Sequence, residues 1–316
     1  MSRIHEALKK AEQDRANTQG ADEPALAAPE IPLPGRIPAV PAVVMETRPL
    51  ATTVLPALPL GAIRFEELRA RCMQIEWQPD TRVNVFLNSE SNPRGTEQFR
   101  TMRSRLYQIR SAQPLSTVLV TSSVPAEGKT FVTANLAQAI IRQPDRRVLI
   151  IDGDMRCPRL HEMVGAPQTP GLTNYLRGET DEASIIQDGG VGNLFMIAGG
   201  TKVPNPSELL SSGRLKTLLE RVGPAFDWVL VDAPPCLPVA DATVIAEICD
   251  GVLFVVRAGS TPAAVAQRAL QELRGRTVLG VVLNAVEDSH AYASTYYSSY
   301  GYGYGYGSDN SEVSRG

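Results

Sequence analysis

Thr117-Val118-Leu119-Val120-Thr121-Ser122-Ser123-Val124-Pro125-Ala126-Glu127-Gly128-Lys129-Thr130 is the stretch on which the reading of the fold turns. It opens as an apolar, β-branched run of strand length, passes through a loop containing Pro and Gly, and enters a helical pattern near 129 to 142. A strand, a loop closing on Gly-Lys-Thr and a helix, in that order, form a cradle for phosphate. Amides of the loop and of the helix start face the anion, a lysine reaches its β and γ oxygens, and a hydroxyl is placed for Mg2+. Ser123 stands where that pattern has its first Gly. The expected ATP-binding residues are therefore Ser123, Val124, Pro125, Ala126, Glu127, Gly128, Lys129 and Thr130, with Lys129 on the phosphates and Thr130 on the metal.

Around this loop, apolar runs alternate with longer helical patterns, the signature of parallel βαβ units. The runs are Thr117 to Thr121, Val148 to Asp152, Leu194 to Ile197, Trp228 to Asp232, Val252 to Val256 and Leu279 to Leu283. Helical patterns lie near 129 to 142, 206 to 221, 239 to 249 and 262 to 274. Runs this apolar are buried on both faces, so the expectation is an α/β fold of the P-loop nucleotide-binding class, with a mostly parallel sheet covered by helices on each side. Two runs end in acid. Val148-Leu149-Ile150-Ile151-Asp152-Gly153-Asp154-Met155-Arg156 delivers two aspartates, and Trp228-Val229-Leu230-Val231-Asp232-Ala233-Pro234-Pro235 delivers one ahead of a proline pair that enforces an extended exit. A single strand-ending Asp is usually a turn residue. Three of them beside a phosphate loop are suited to a nucleotide-bound magnesium.

The phosphate loop, the Asp152-x-Asp154-x-Arg156 strand end and the Asp232-x-Pro234-Pro235 strand end resemble the three Walker-type motifs of bacterial tyrosine kinases from capsular and exopolysaccharide systems. The eukaryotic-type His-Arg-Asp and Asp-Phe-Gly signatures are absent from the sequence. The resemblance runs from about residue 93 to the C-terminus. It implies that Lys129, Asp152, Asp154 and Asp232 are catalytic, that Thr130 and the three aspartates serve the metal, and that Asp152 or Asp154 is the base. Asn284, closing the last apolar run, resembles an adenine-contacting position of related folds, and a turn Asn is the plainer alternative. Ala126 stands where many relatives have Gly: harmless at negative φ, a strain on the loop and on binding at positive φ.

Two further features fit that family. Glu97, Arg100 and Arg103 have the spacing of its subunit-contact motif, on a helix of about 95 to 111 whose Phe99, Met102, Leu106 and Ile109 form another face. Seven of the nine tyrosines, Tyr292, Tyr296, Tyr297, Tyr300, Tyr302, Tyr304 and Tyr306, crowd the C-terminus and resemble the family's autophosphorylated cluster. The resemblance implies a homo-oligomeric ring in which each tail is phosphorylated by its neighbour. It also implies an activating cytoplasmic tail from a separate membrane chain-length or export protein, and a cognate tyrosine phosphatase. The rival readings are a partition or septum-positioning ATPase switch and a nucleotide-dependent scaffold. The first typically carries a lysine early in the loop, where this chain has Val124.

The remaining composition sets bounds. Thirty-one basic against 34 acidic residues and a net charge of −3 give no reason to expect nucleic acid as a partner. The longest apolar runs are far short of the roughly 20 residues of a membrane span, and the charged N-terminus lacks a secretory signal. A cytoplasmic protein, brought to the inner face of the membrane by its partner, is expected. Cys72, Cys157, Cys236 and Cys249 are scattered without metal-site spacing. The expected organisation is an N-terminal helix in 1–18, a Pro/Ala-rich linker over 19–62, the kinase domain over 63–288 and the Tyr/Gly-rich tail over 289–316. Within the domain, Ile63 to Trp77 is helical by composition and ends near Pro79.

Overall fold

A computed structural model describes residues 61–87 and 92–286. The expected N-terminal helix, nearly all of the expected linker and the seven tail tyrosines lie outside the described residues. In chain order the elements are α1 (Phe65–Arg71), β1 (Met73–Gln74), α2 (Pro93–Ala112), β2 (Thr117–Ser122), α3 (Lys129–Ile141), β3 (Val148–Asp152), α4 (Leu160–Val164) and α5 (Leu172–Leu176). They continue as β4 (Ile186–Asp188), β5 (Leu194–Ile197), α6 (Pro206–Ser211), α7 (Arg214–Val222), β6 (Trp228–Asp232), α8 (Asp241–Ala246), β7 (Gly251–Arg257), α9 (Ala263–Glu272) and β8 (Val278–Asn284).

The strands form one eight-stranded sheet in the order β1-β4-β5-β3-β6-β2-β7-β8. Every pairing is parallel except that of β4 with β5. The six apolar runs read from the sequence are strands, and side-chain alternation sorts them into two cores. Leu119, Leu149, Ile151, Val229, Val231 and Phe254 face one side, against α1 and α5 to α9. Val118, Val120, Ile150, Leu230, Leu253 and Val255 face the other, against α2, α3 and α4. Each such fully buried aliphatic side chain is worth about 1.5–3 kcal/mol relative to exposure, which makes the central strands the rigid support of the site.

Three expectations need correction. The stretch from Ile63 to Trp77 is not one helix: α1 stops at Arg71 and the chain adds the two-residue strand β1. The helix expected over 206 to 221 is two, because Gly213 takes φ 77 at the break. The last apolar run is not buried on both faces, since β8 is the edge strand and leaves Val281 46% and Leu283 59% exposed.

The helix α2 starts at an Asn92 cap, whose side chain accepts from the Gly95 amide at 2.9 Å, with Pro93 in the first turn where its missing N–H costs nothing. Phe99 and Leu106 are buried against the sheet as their spacing predicts. Glu97 and Arg100 are exposed and pair at 3.4 Å, whereas Arg103 turns inward and donates to the Ala139 carbonyl at the end of α3 at 2.8 Å.

Candidate active site

Strand alternation and register build the acidic side of the site. Asp152 and Asp232 are the last residues of adjacent parallel strands β3 and β6 and are register partners, so both fall on the α3 face of the sheet. Between β2 and α3 runs the phosphate loop, where Gly128 at φ 92 turns the chain into the helix. A Cβ at Gly128 would stand 2.0 Å from the Asn284 side-chain nitrogen, so conformation and space both demand glycine there.

The fold thus brings the predicted groups together. Lys129 Nζ donates to Asp154 Oδ2 at 2.9 Å, and Thr130 Oγ1 donates to Asp232 Oδ2 at 2.6 Å. The three aspartates have different surroundings. Asp152 uses both oxygens on backbone amides, accepting from Asp154 N at 3.2 Å and Leu160 N at 2.9 Å. Asp154 is held by Lys129 and by the Cys157 amide at 3.1 Å. Asp232 keeps Oδ1 buried with no hydrogen-bond partner among the described residues.

Electrostatics follow from that crowding. Burial, then the Asp232 charge, push the Asp152 carboxyl well above the usual carboxylate range. Burial raises Asp232 to about 6, with Lys129 and the Thr130 hydroxyl offsetting part of the rise. Burial alone would lower the Lys129 ammonium, but Asp232 and Asp154 more than compensate and hold it above its ordinary value. Three acidic side chains meet a single lysine here, and Asp232 keeps one buried oxygen without a partner among the described residues. That donor set, with the Thr130 hydroxyl beside it, fits a hard divalent cation bound jointly with phosphate oxygens. Among the described residues no group of three His, Cys, Asp or Glu side chains is arranged to hold a metal alone.

The remaining loop residues act differently from one another. Glu127 lies in the phosphate loop, yet its carboxylate turns inward. It accepts from the Val124 amide at 2.8 Å, the Thr261 hydroxyl at 2.6 Å and the Arg257 amide at 3.3 Å. Arg257 Nη1 also donates to the Ala126 carbonyl at 3.2 Å, and Asn284 Nδ2 donates to the Glu127 carbonyl at 2.9 Å. The ends of β7 and β8 therefore brace the loop from behind. Ser123 is fully buried and its Oγ has no hydrogen-bond partner among the described residues. Ala126 adopts φ 66, the strained alternative for a residue with a Cβ.

Sequence reasoning did not find Thr261 and Arg257, which meet the loop only through the tertiary fold. It also missed a buried acid, Asp241, at the start of α8. Arg156 donates to both Asp241 oxygens, at 2.8 and 3.2 Å, and Ser207 Oγ donates to Asp241 at 2.6 Å. This network ties the loop after β3 to α6 and α8. The arginine was visible in its motif, but nothing local marked Asp241 as its partner.

A parallel sheet whose strand ends carry a lysine-bearing phosphate loop and opposed aspartates defines the class: a P-loop nucleotide-binding α/β protein. Relatives narrow it. The chain is 34% identical over 219 residues to the tyrosine-protein kinase YwqD of Bacillus subtilis, a match covering 68% of this chain and 92% of that protein. It is 38% identical over 219 residues to the tyrosine-protein kinase etk of Escherichia coli, covering 68% of this chain but only 30% of that longer protein. The solved kinase domain of Escherichia coli ETK superposes with a TM-score of 0.58 at 34% identity, covering 62% of this chain and 78% of that one. No protein-family model matches the chain. The chain belongs to the family of bacterial tyrosine kinases. Among the described residues no helix is long and apolar enough to cross a membrane.

Proposed function

We propose that this chain transfers the γ-phosphoryl group of ATP to tyrosine hydroxyls, chiefly Tyr292, Tyr296, Tyr297, Tyr300, Tyr302, Tyr304 and Tyr306 of a neighbouring copy. The observation that carries the proposal is the convergence of Lys129, Thr130, Asp154 and Asp232 in one pocket, with an unpartnered, fully buried Asp232 oxygen. Thr130 and Asp232 would hold Mg2+, which supplies charge neutralisation at the β and γ oxygens. Lys129 exchanges Asp154 for the γ-phosphate, and the amides of Ala126 to Thr130 orient the triphosphate. Release from Lys129 frees Asp154 Oδ2 to take the phenolic proton, which at an ordinary pKa near 10 needs assistance to leave. The phenolic oxygen bonds to the γ-phosphorus as the bond to the β-bridging oxygen breaks, and ADP departs. Asp152, anchored on two backbone amides, positions the Asp154 loop. Asn284 lies next to the loop and is the proposed adenine contact.

Assembly and regulation follow from the family resemblance. Glu97 and Arg100 on α2 are proposed to contact the next subunit of a ring, and phosphates accumulating on the tails, each about −1.5 to −2 charges, would favour its dissociation. In this reading the cycle controls exopolysaccharide or capsule polymerisation or export. It is activated by the cytoplasmic tail of a membrane chain-length or export protein, which brings this cytoplasmic kinase to the membrane, and is reset by a tyrosine phosphatase.

The test is direct. Purified protein incubated with Mg·ATP should acquire phosphotyrosine, Lys129→Met should abolish it, and removal of residues beyond Asp288 should eliminate most of it while ATP binding persists. Release of free phosphate without phosphotyrosine would replace the kinase reading by an ATPase switch.

A further inference from the structure

The sheet ends on one side in a strand that nothing among the described residues covers. β8, Val278-Leu279-Gly280-Val281-Val282-Leu283-Asn284, carries no charge and no proline, the devices that normally blunt an edge against pairing. Its outer side chains Val281 and Leu283 are about half exposed, as is Val286 just beyond it. The edge borders a cleft of about 1200 Å³ between β8 and α2, which Val281, Leu283 and Val286 also help to line. Phe99, Met102, Leu106 and Ile109 line it from the helix, and Leu279 and Val282 from the strand. An open backbone edge beside a cleft of mixed lining, with Gln98, Arg105 and Gln108 among its apolar side chains, is a shape that accepts an added strand, the edge supplying hydrogen bonds and the cleft taking amphipathic side chains.

The chain that follows has the matching pattern. Ala285, directly after β8, has φ 54, a left-handed conformation suited to turning the backbone. Further on, Tyr300-Gly301-Tyr302-Gly303-Tyr304-Gly305-Tyr306 alternates with period two over seven residues, the length of β8 itself. In an extended strand such a segment puts all four phenol rings on one side and only glycine on the other. The residues between Val286 and Tyr300 are ample for a return along the edge.

We infer that Tyr300 to Tyr306 docks in cis as a further, antiparallel strand on β8, seating its tyrosine row in the cleft against α2. Docked in this way the rings are sheltered from any kinase site, so the edge stores the tail between encounters. The inference concerns packing, and it stands whether or not these tyrosines accept phosphate.

Hydrogen–deuterium exchange of the full chain, without nucleotide, tests it against two variants: truncation after Asp288, and replacement of Tyr300, Tyr302, Tyr304 and Tyr306 by Ser. Both should speed exchange of the β8 amides by at least about tenfold while the β3 amides of the sheet centre keep their protection. The protection of β8 in the full chain should be the same from low to high micromolar protein. Unchanged β8 exchange in the variants would overturn the proposal. Protection that appears only as concentration rises would overturn it too, in favour of a second copy on the edge.

Discussion

Asp232→Asn tests whether the pocket is built around a cation. Burial raises this carboxyl to about 6 from an ordinary 3.8. Below the lower value the acid is protonated whether the chain is folded or unfolded, and the stabilisation tied to its raised pKa is fully present. That stabilisation is lost as pH climbs through the upper value, because the folded state must then bury the charge. A difference of about 2 units at about 1.4 kcal/mol each amounts to about 3 kcal/mol. Asparagine has nearly the same shape, can still accept from Thr130, and never ionises. In chelator and without nucleotide, the stability of Asp232→Asn relative to the parent should therefore rise by about 3 kcal/mol from pH 4 to pH 7.5, set against a pH-independent cost of about 1–3 kcal/mol for burying amide N–H groups where Asp232 Oδ1 has no partner among the described residues. Urea unfolding at a series of pH values measures this, and the same variant should lose Mg·ATP-dependent phosphotyrosine formation. A stability difference between variant and parent that does not change between pH 4 and pH 7.5 would refute the reasoning.

Other consequences concern the loop and the helix α2. Ala126→Gly should relieve a left-handed residue that costs about 1–2 kcal/mol, offset by about 0.5–1 kcal/mol of added chain entropy, for a net gain of up to about 1.5 kcal/mol in thermal unfolding and tighter ATP binding. Loss of stability would show that the methyl group is needed where it is. Thr261→Val removes one bond to the Glu127 carboxylate, worth about 1.5–3 kcal/mol locally, and should raise the KM for ATP severalfold while circular dichroism stays unchanged. An unaltered KM would mean the brace does not shape the loop. Arg100→Ala should lower the light-scattering mass without changing the unfolding midpoint. Arg103→Ala should cost about 1 kcal/mol of stability through its lost bond to Ala139. Equal stability of the two variants would contradict their different placements on α2.

The central sheet was legible because a strand buried on both faces must be apolar throughout, as in Val148 to Ile151 and Trp228 to Val231. The converse fails for β8: Val278 to Leu283 reads like a central strand, since composition does not tell an edge from an interior position. The strand β4 was illegible because three residues ending in Gln187 and Asp188 carry no apolar run. The phosphate loop and its aspartates were readable from short-range spacing, and the structure gathers them. Glu127 as an inward brace, with Thr261 and Arg257 behind it, was not readable, because those partners are about 130 residues apart and only the β7 strand end brings them near. The φ of Ala126 likewise depended on how the loop is held, so sequence could only state both outcomes.

Asp152 and Asp232 sit on one rung of the sheet, and neighbouring strands lie about 4.8 Å apart. Their mutual repulsion is thus written into hydrogen-bonded backbone and cannot be relaxed by a loop moving aside. Any mutation that loosens the loops leaves this repulsion in place, whereas a slip of β3 against β6 by a single residue would turn one acid to the opposite face and dissolve it. The appetite of the pocket for positive charge is accordingly a property of strand alignment, protected by the most deeply buried part of the molecule.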